Sequence, residues 1–475
     1  GRVRTIEEIS VVFQAESLAT HGNPAVPQAG PANLFYGKVD RAGRPQAASG
    51  LGQAVVVLPW YGLGRLLGLL PGVPPGTRDI VVDAAVTASS ATFSALAAAL
   101  ALLIFLRLGL AARPAVAAAL LLALATPLFS YSAWLFSEPL AAALFLGAAL
   151  FLFTGDANAA IPARDAYRAG LLLGVAIWIR PAHAVAATVF FVALVARNVA
   201  IRSRGGKPNR SAFVLAAVVL LFFVAFLIRN KILFGSPLDF GYPAAAGGIK
   251  PPNSFDTPLL RGLFGFLISP GKSIFIFAPP ILLALAGIRR LAQRDLGLAI
   301  VAVLTPVAYL FYFARYAQWE GGYCFGPRYL VAPLALLCLG LGPVFAAVSA
   351  PAGAWARRAA WVLFFAGFAV QIIGMSTSFV EDEITGAYYN QQGRYRMSYD
   401  PLVSQTRLLL RYIETPTVAP IGRGFDRWVI FLLKVGISRG LVMIFWGLEW
   451  AGAIFFTWKL EGLLAKPPPP DMALA

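Results

Sequence analysis

From residue 80 onward, long apolar runs alternate with short polar connections. The runs lie at about 80–106, 114–130, 137–153, 211–228, 274–288, 296–313, 329–348, 359–378 and 428–458, lengths that suit helices crossing a hydrocarbon core. One more run, 170–195, is interrupted by Arg180-Pro181, and a proline beside a charge at that depth predicts two short helices, one going in and one coming back. Counted this way the chain is an all-α polytopic membrane protein with about 11 spans. Ahead of them, 2–28 is polar with an amphipathic pattern at Ile9, Val12, Phe13 and Leu18, and 51–70 carries Trp60, Tyr61 and Arg65. Both read as helices lying in the interface rather than across it.

Charge sets the orientation. Basic residues fall in one set of connections: Arg107 and Arg113, Arg164 and Arg168, Arg197 to Arg210, Arg289 to Arg294, Arg357 and Arg358, and Lys459 and Lys466. The positive-inside rule places that set in the cytoplasm. The other connections are longer and rich in Gly, Pro and Tyr, and they meet on the outer face. The chain therefore divides into a first outer loop with interfacial helices (1–79), a transmembrane core (80–378) with outer loops 230–273 and 314–328, an outer loop (379–427), and a last span with a cytoplasmic tail (428–475). Because the numbering opens outside, an upstream first span is expected, giving about 12 in all and both ends cytoplasmic.

Composition agrees: 59% of residues are hydrophobic and 13% charged, with a mean hydropathy of +0.72, which excludes a soluble core. The net charge of +17 would suggest nucleic acid in a soluble protein, but its concentration at span ends removes that reading. Two cysteines without CxxC spacing and two histidines indicate neither a disulfide framework nor a metal site.

Four outer segments carry polar residues that spans alone do not require. Glu7-Glu8 is either an acidic pair favoured at a helix N-terminus after Thr5 or a source of a base. Glu138, in the turn Tyr131 to Pro139, is either a first-turn carboxylate or a second acid. Arg229 and Lys272 are cations at span ends, whereas Arg180 lies within an apolar helix pair, away from both interfaces. Of these Arg180 most needs an anionic partner, and a phosphate suits a guanidinium. Lys272 is not part of a phosphate-binding Walker loop, since Phe266 stands where that loop needs glycine. Finally, Gln318 to Tyr329 alternates aromatics and glycines beside Arg328, giving stacking surfaces for a sugar ring and a flexible backbone.

Together the acidic pair in TIEEIS, the tyrosine turn ending FSEP, the Arg-Pro break, the Asn230 to Tyr242 segment with FGSP, and GGYCFGPRYL resemble, in order and nearly over the whole chain, the GT-C superfamily of polyprenyl-phosphate-sugar-dependent glycosyltransferases, especially the protein mannosyltransferase and aminoarabinose transferase group. The resemblance implies an inverting transfer of a sugar from a polyprenyl-phosphate donor to an acceptor hydroxyl on a lipid, glycan or protein. It also implies a bacterial inner membrane location with the site on the periplasmic face. It implies a catalytic carboxylate at Glu7, with Glu8 and Glu138 as further candidates. Arg180, Arg229, Lys272 and Arg328 become candidates for the donor phosphate, and Tyr131, Asn230, Tyr242, Trp319 and Tyr323 for sugar or acceptor. No metal ligands are expected, although a divalent cation stays open. The alternatives are a transporter or flippase of lipid-linked sugars, which internal repeats would favour but the loops do not show, and a non-catalytic assembly subunit.

Overall fold

A computed structural model of the chain describes residues 5–31, 35–48, 50–71, 73–155, 159–205, 209–243, 254–322, 324–348, 354–376 and 401–414. The last expected span, the tail and most of 379–427 lie outside the described residues. Among those described, six helices are long and apolar enough to cross a membrane, and two shorter apolar helices, Ala112–Leu124 and Glu138–Phe153, accompany them. The protein is a multi-pass helical membrane protein.

The amino-terminal segment forms α1 (Ile6–His21), closed at its start by a Thr5/Glu8 capping box and at its end by left-handed Gly22. A small antiparallel hairpin follows, β1 (Gly37–Val39) with β2 (Pro45–Ala47), which the hydropathy pattern did not reveal. Then comes α2 (Leu51–Gly68), lying against α3 (Arg78–Arg107). The close approach is possible because Gly64 has no Cβ; one placed there would meet the Val82 Cα at 2.7 Å.

The expected span 114–130 is broken into α4 (Ala112–Leu124) and α5 (Pro127–Tyr131), since Thr126 caps a new helix with Pro127 in its first turn. Next is α6 (Glu138–Phe153), whose residues are nearly all buried; it is the centre of the bundle. The Arg-Pro break is present, between α7 (Ala163–Ile179) and α8 (Ala184–Ser203). The two helices are not short, however, at 17 and 20 residues: α7 starts seven residues earlier than expected, with Arg164 and Arg168 in its exposed first turns. Gly170 and Gly174 let α7 lie directly on α9 (Ser211–Phe234).

The outer loop expected at 230–273 contains α10 (Leu259–Leu267). The expected span 274–288 is split at Pro279-Pro280 into α11 (Ile274–Phe277) and α12 (Ile281–Arg294). After α13 (Leu296–Ala314) the run 329–348 is likewise divided, into α14 (Val331–Leu337) and α15 (Leu341–Val348) by a 3-10 turn whose Gly340 rests on the α12 backbone. The last long described span is α16 (Ala354–Ser376), and a helix at Pro401–Glu414 falls inside the segment read as loop.

The helix ends sort by charge. The ends of α3, α6, α8 and α12 that carry Arg107, Arg197 and Arg294 come together, with Arg107 donating to Thr154, Arg197 to the Leu152 carbonyl and Arg294 to the Leu108 carbonyl. The start of α6, the end of α7 and the turn before α14 meet at the opposite end of the bundle, under α1 and the hairpin.

Candidate active site

At that opposite end α1 delivers its two acids in different directions. Glu8 is fully buried: its Oε2 accepts the Thr5 N–H at 2.8 Å and its Oε1 accepts the Leu135 N–H at 2.8 Å. Both oxygens are thus committed, one to the cap and one to the turn that leads into α6. Glu7, one residue back, lines a cavity instead, with its side chain 39% exposed. Its Oε2 receives Arg328 Nη2 at 2.5 Å. Burial alone would raise the Glu7 carboxyl, but Arg328 and Arg180 outweigh it and hold the group below its ordinary value.

Arg328 is aimed by its own loop. Gly321 and Gly326 take left-handed backbone (φ +89° and +64°), so these glycines shape a tight turn rather than a flexible one. The buried Lys272 clamps that turn, donating from Nζ to the Cys324 carbonyl at 2.9 Å, and the Tyr131 hydroxyl donates to the Phe325 carbonyl at 2.9 Å. The Arg328 guanidinium lies 4.0 Å over the Phe136 ring and, besides Glu7, bonds Glu138 Oε1 through Nε at 2.9 Å. The same Glu138 oxygen takes Arg180 Nη1 at 3.2 Å. Glu138 Oε2 is buried without a hydrogen-bond partner.

Arg180 reaches this point because the chain breaks there. Gly50 sits on the Ile179 carbonyl and Gly52 would bring a Cβ to 2.7 Å from the Trp178 backbone, so the start of α2 lies directly on the end of α7. The Arg180 guanidinium rests 5.2 Å over Tyr329, whose ring stacks on Phe313 at 4.1 Å. The result is a chain of alternating charge, Glu7, Arg328, Glu138, Arg180, in which Glu7 and the two arginines line a cavity of about 50 Å³ and the buried Glu138 joins the arginines from behind it. That is room for a few waters. Tyr36 and Tyr242 close the other side, ring centroids 6.4 Å apart. Burial and the nearby Glu7 raise the Tyr36 hydroxyl far above its ordinary value, so it stays a neutral donor. The hairpin bearing Tyr36 is fastened by Lys38 to Asp239 at 2.5 Å and by the Arg41 N–H to the Leu233 carbonyl at 2.9 Å.

Of the residues singled out in the sequence, Glu7, Arg180, Arg328 and Tyr242 line the cavity, and Glu138 lies behind it, bonded to both arginines. Others do not reach the cavity. Glu8, Lys272 and Tyr131 hold neighbouring turns, as above. Asn230 is buried and donates to the Pro237 carbonyl at 3.3 Å, shaping the turn after α9, and Arg229 has Asn230 Oδ1 as its partner at 3.5 Å. Trp319 packs on Phe266 at 5.5 Å and against Gly265, inside the apolar core. Tyr323 lies outside the described residues.

Sequence reasoning passed over Tyr36, Gln53, Phe136 and Tyr329. Gln53 donates to the Leu135 carbonyl at 3.2 Å and lines the cavity. Their signal was weak, because each is a common residue in a loop or at a helix start. The Glu8 role was visible as the Thr5-x-x-Glu8 spacing of a capping box.

Two carboxylates that each already hold a guanidinium are a poor donor set for a divalent cation. Among the described residues no three His, Cys, Asp or Glu side chains group as such an ion requires.

No family model matches the chain, and no curated protein matches it. Among solved structures it is similar to ArnT from Cupriavidus metallidurans. In the apo state the identity is 13% and the TM-score 0.49, over 93% of this chain and 69% of that one. For the structure bound to undecaprenyl phosphate the identity is 14% and the TM-score 0.49, over 86% and 67%.

Proposed function

We propose that the chain is an integral membrane glycosyltransferase that moves a sugar from a polyprenyl-phosphate donor to an acceptor hydroxyl on the extracytoplasmic side. The observation that carries this reading is the partly exposed Glu7 carboxylate, lining a cavity that Arg180 and Arg328 also line. A hydroxyl attacks a sugar carbon well only if a positioned base takes its proton. In the proposed step the acceptor oxygen bonds to the anomeric carbon from the face opposite the phosphate, inverting it. The bond from that carbon to the phosphate oxygen breaks, the electron pair leaves with the phosphate, and the proton passes to Glu7. Arg180 stabilises the charge that grows on the phosphate, since the Nη1 contact with Glu138 leaves the rest of its guanidinium to a ligand. Arg328 holds Glu7 ionised and in place, and Glu138 keeps the two arginines together. Tyr36 and Tyr242 offer hydroxyls and ring faces to the sugar.

Transfer from a labelled polyprenyl-phosphate sugar, measured on the full chain in liposomes, tests this. Glu7→Gln is expected to lower turnover by about 10²–10⁴-fold with donor affinity little changed. Glu8→Gln should cost stability while the folded fraction still turns over. Full turnover by the Glu7→Gln protein would sink the reading, and so would donor crossing the bilayer without any product from the unaltered chain, as a carrier would give.

A further inference from the structure

A second cavity, about 520 Å³, opens at the basic end of the bundle, between the end of α3, the end of α6 and the start of α7. It lies roughly 22 Å from Glu138, the length of α6 at 1.5 Å per residue. The transfer reading makes no use of it.

Four arginines line it. Arg197 is buried and structural: it pairs with Asp295 at 2.7 Å and donates to the carbonyls of Leu152 and Ala159, which fixes the α6 end and the chain leading to α7. The other three are differently placed. Arg107 donates to the Thr154 hydroxyl at 3.3 Å, and although it complements the C-terminal dipole of α3, that interaction leaves its remaining donors open. Arg164 and Arg168 share one carboxylate, Asp165, at 3.8 and 3.2 Å. Among the described residues three guanidiniums thus face a single acid, an excess of positive charge at the mouth of a cavity. The backbone N–H groups at the start of α7 add to it.

The remaining walls are apolar. Leu150 and Phe151 of α6 line the cavity, Arg168 lies 5.5 Å over the Phe151 ring, and Leu103 and Leu106 are exposed on the same end of α3. Guanidiniums bind phosphate oxygens in forked pairs. A phosphate in water would satisfy the charges but leave the apolar walls unused, whereas a lipid headgroup at the end of a span uses both.

We propose that this cavity is a second ligand site, which takes the phosphate headgroup of an anionic membrane lipid while its acyl chains lie along α3 and α6. The site belongs to the leaflet opposite the one that the Glu7 cavity faces.

The experiment uses the full chain in mild detergent, with retained lipid counted by native mass spectrometry after addition of phosphatidylglycerol, phosphatidylcholine or inorganic phosphate. The unaltered protein is expected to hold phosphatidylglycerol at least about ten-fold more tightly than phosphatidylcholine, a difference of about 1.4 kcal/mol. The double change Arg164→Gln with Arg168→Gln should abolish that preference, Arg107→Gln should weaken it, and Arg65→Gln at the other end should leave it intact. Both residues of the double change are more than half exposed, so the fold should survive, and a melting curve checks it. Equal affinity for the two lipids, or an undiminished preference in the folded double variant, would overturn the proposal. Complete displacement of the lipid by millimolar phosphate would also overturn it, assigning the cavity to a soluble anion.

Discussion

Arg328 is the side chain on which the candidate site depends most, because among the described residues it alone touches both carboxylates. Arg328→Gln leaves the buried Glu138 with one cation instead of two and removes the guanidinium bonded to Glu7. Breaking a buried pair in this way costs on the order of 3–5 kcal/mol, and somewhat less here because Glu7 is partly exposed. A melting temperature lowered by many degrees in detergent is the expected readout. Arg328→Lys should rescue little, since an ammonium cannot span two acids with a planar fork. Proton linkage gives a second prediction. The arginines depress Glu7 below its unfolded value of about 4.3, so the stability carried by its ionised form is complete above that pH and is lost as pH falls through the lower folded value. The acid limb of kcat/KM should accordingly lie below about pH 4.3, and Arg180→Gln should move it upward. An unmoved limb would separate Glu7 from the rate. At this scale the sequence was half legible. Arg180 stood out because a charge inside an apolar run is rare, yet Glu7 and Glu8 differ only in helical direction, and the aromatics that bound the cavity look like those of any interfacial belt.

Among the elements, the turn before α14 shows why a motif can be noticed and its meaning missed. Its glycines read as flexibility, whereas Gly321, Gly322 and Gly326 supply left-handed geometry and Gly326 rests on the Phe277 ring. Gly326→Ala would need a left-handed alanine and would push a Cβ to 2.6 Å from that ring, so a loss of about 1–3 kcal/mol is expected, with turnover falling alongside because Arg328 is displaced. A melting curve and a rate together test it; a stable protein with normal turnover would show that the turn does not aim the arginine. The long spans were legible because an apolar run is a local property. The breaks at Thr126-Pro127 and Pro279-Pro280 could have been read from their prolines. The division after Leu337 had a weaker mark, Pro343, whose ring opposes the Leu339 carbonyl inside the 3-10 turn, while the contact of Gly340 with the α12 backbone, far away in sequence, could not be read at all.

At the scale of the molecule, the proposed sidedness requires the hairpin and the basic end to face different compartments. Both described cysteines, Cys324 and Cys338, are buried, so added cysteines can be labelled over a silent background. A membrane-impermeant maleimide applied to intact cells should reach Ala42→Cys and spare Arg202→Cys until the membrane is opened. Labelling of both from one side would refute the topology. The tie between Lys38 and Asp239 bears on how anything arrives at Glu7. A sugar is too large for the space under Tyr36 and Tyr242, so the hairpin edge facing α9 must yield first. That edge is held by a partly exposed ion pair worth at most about 1 kcal/mol and the Arg41 backbone bond. The Val26 N–H to the Pro45 carbonyl at 2.8 Å and the packing of Ala47 on Val26 and Ala29 keep the other edge on the segment after α1 as a hinge. Admission then behaves like a lightly sprung door: brief thermal openings are frequent, salt loosens the spring, and Asp239→Asn should quicken donor capture in stopped-flow measurements while leaving the chemical step untouched.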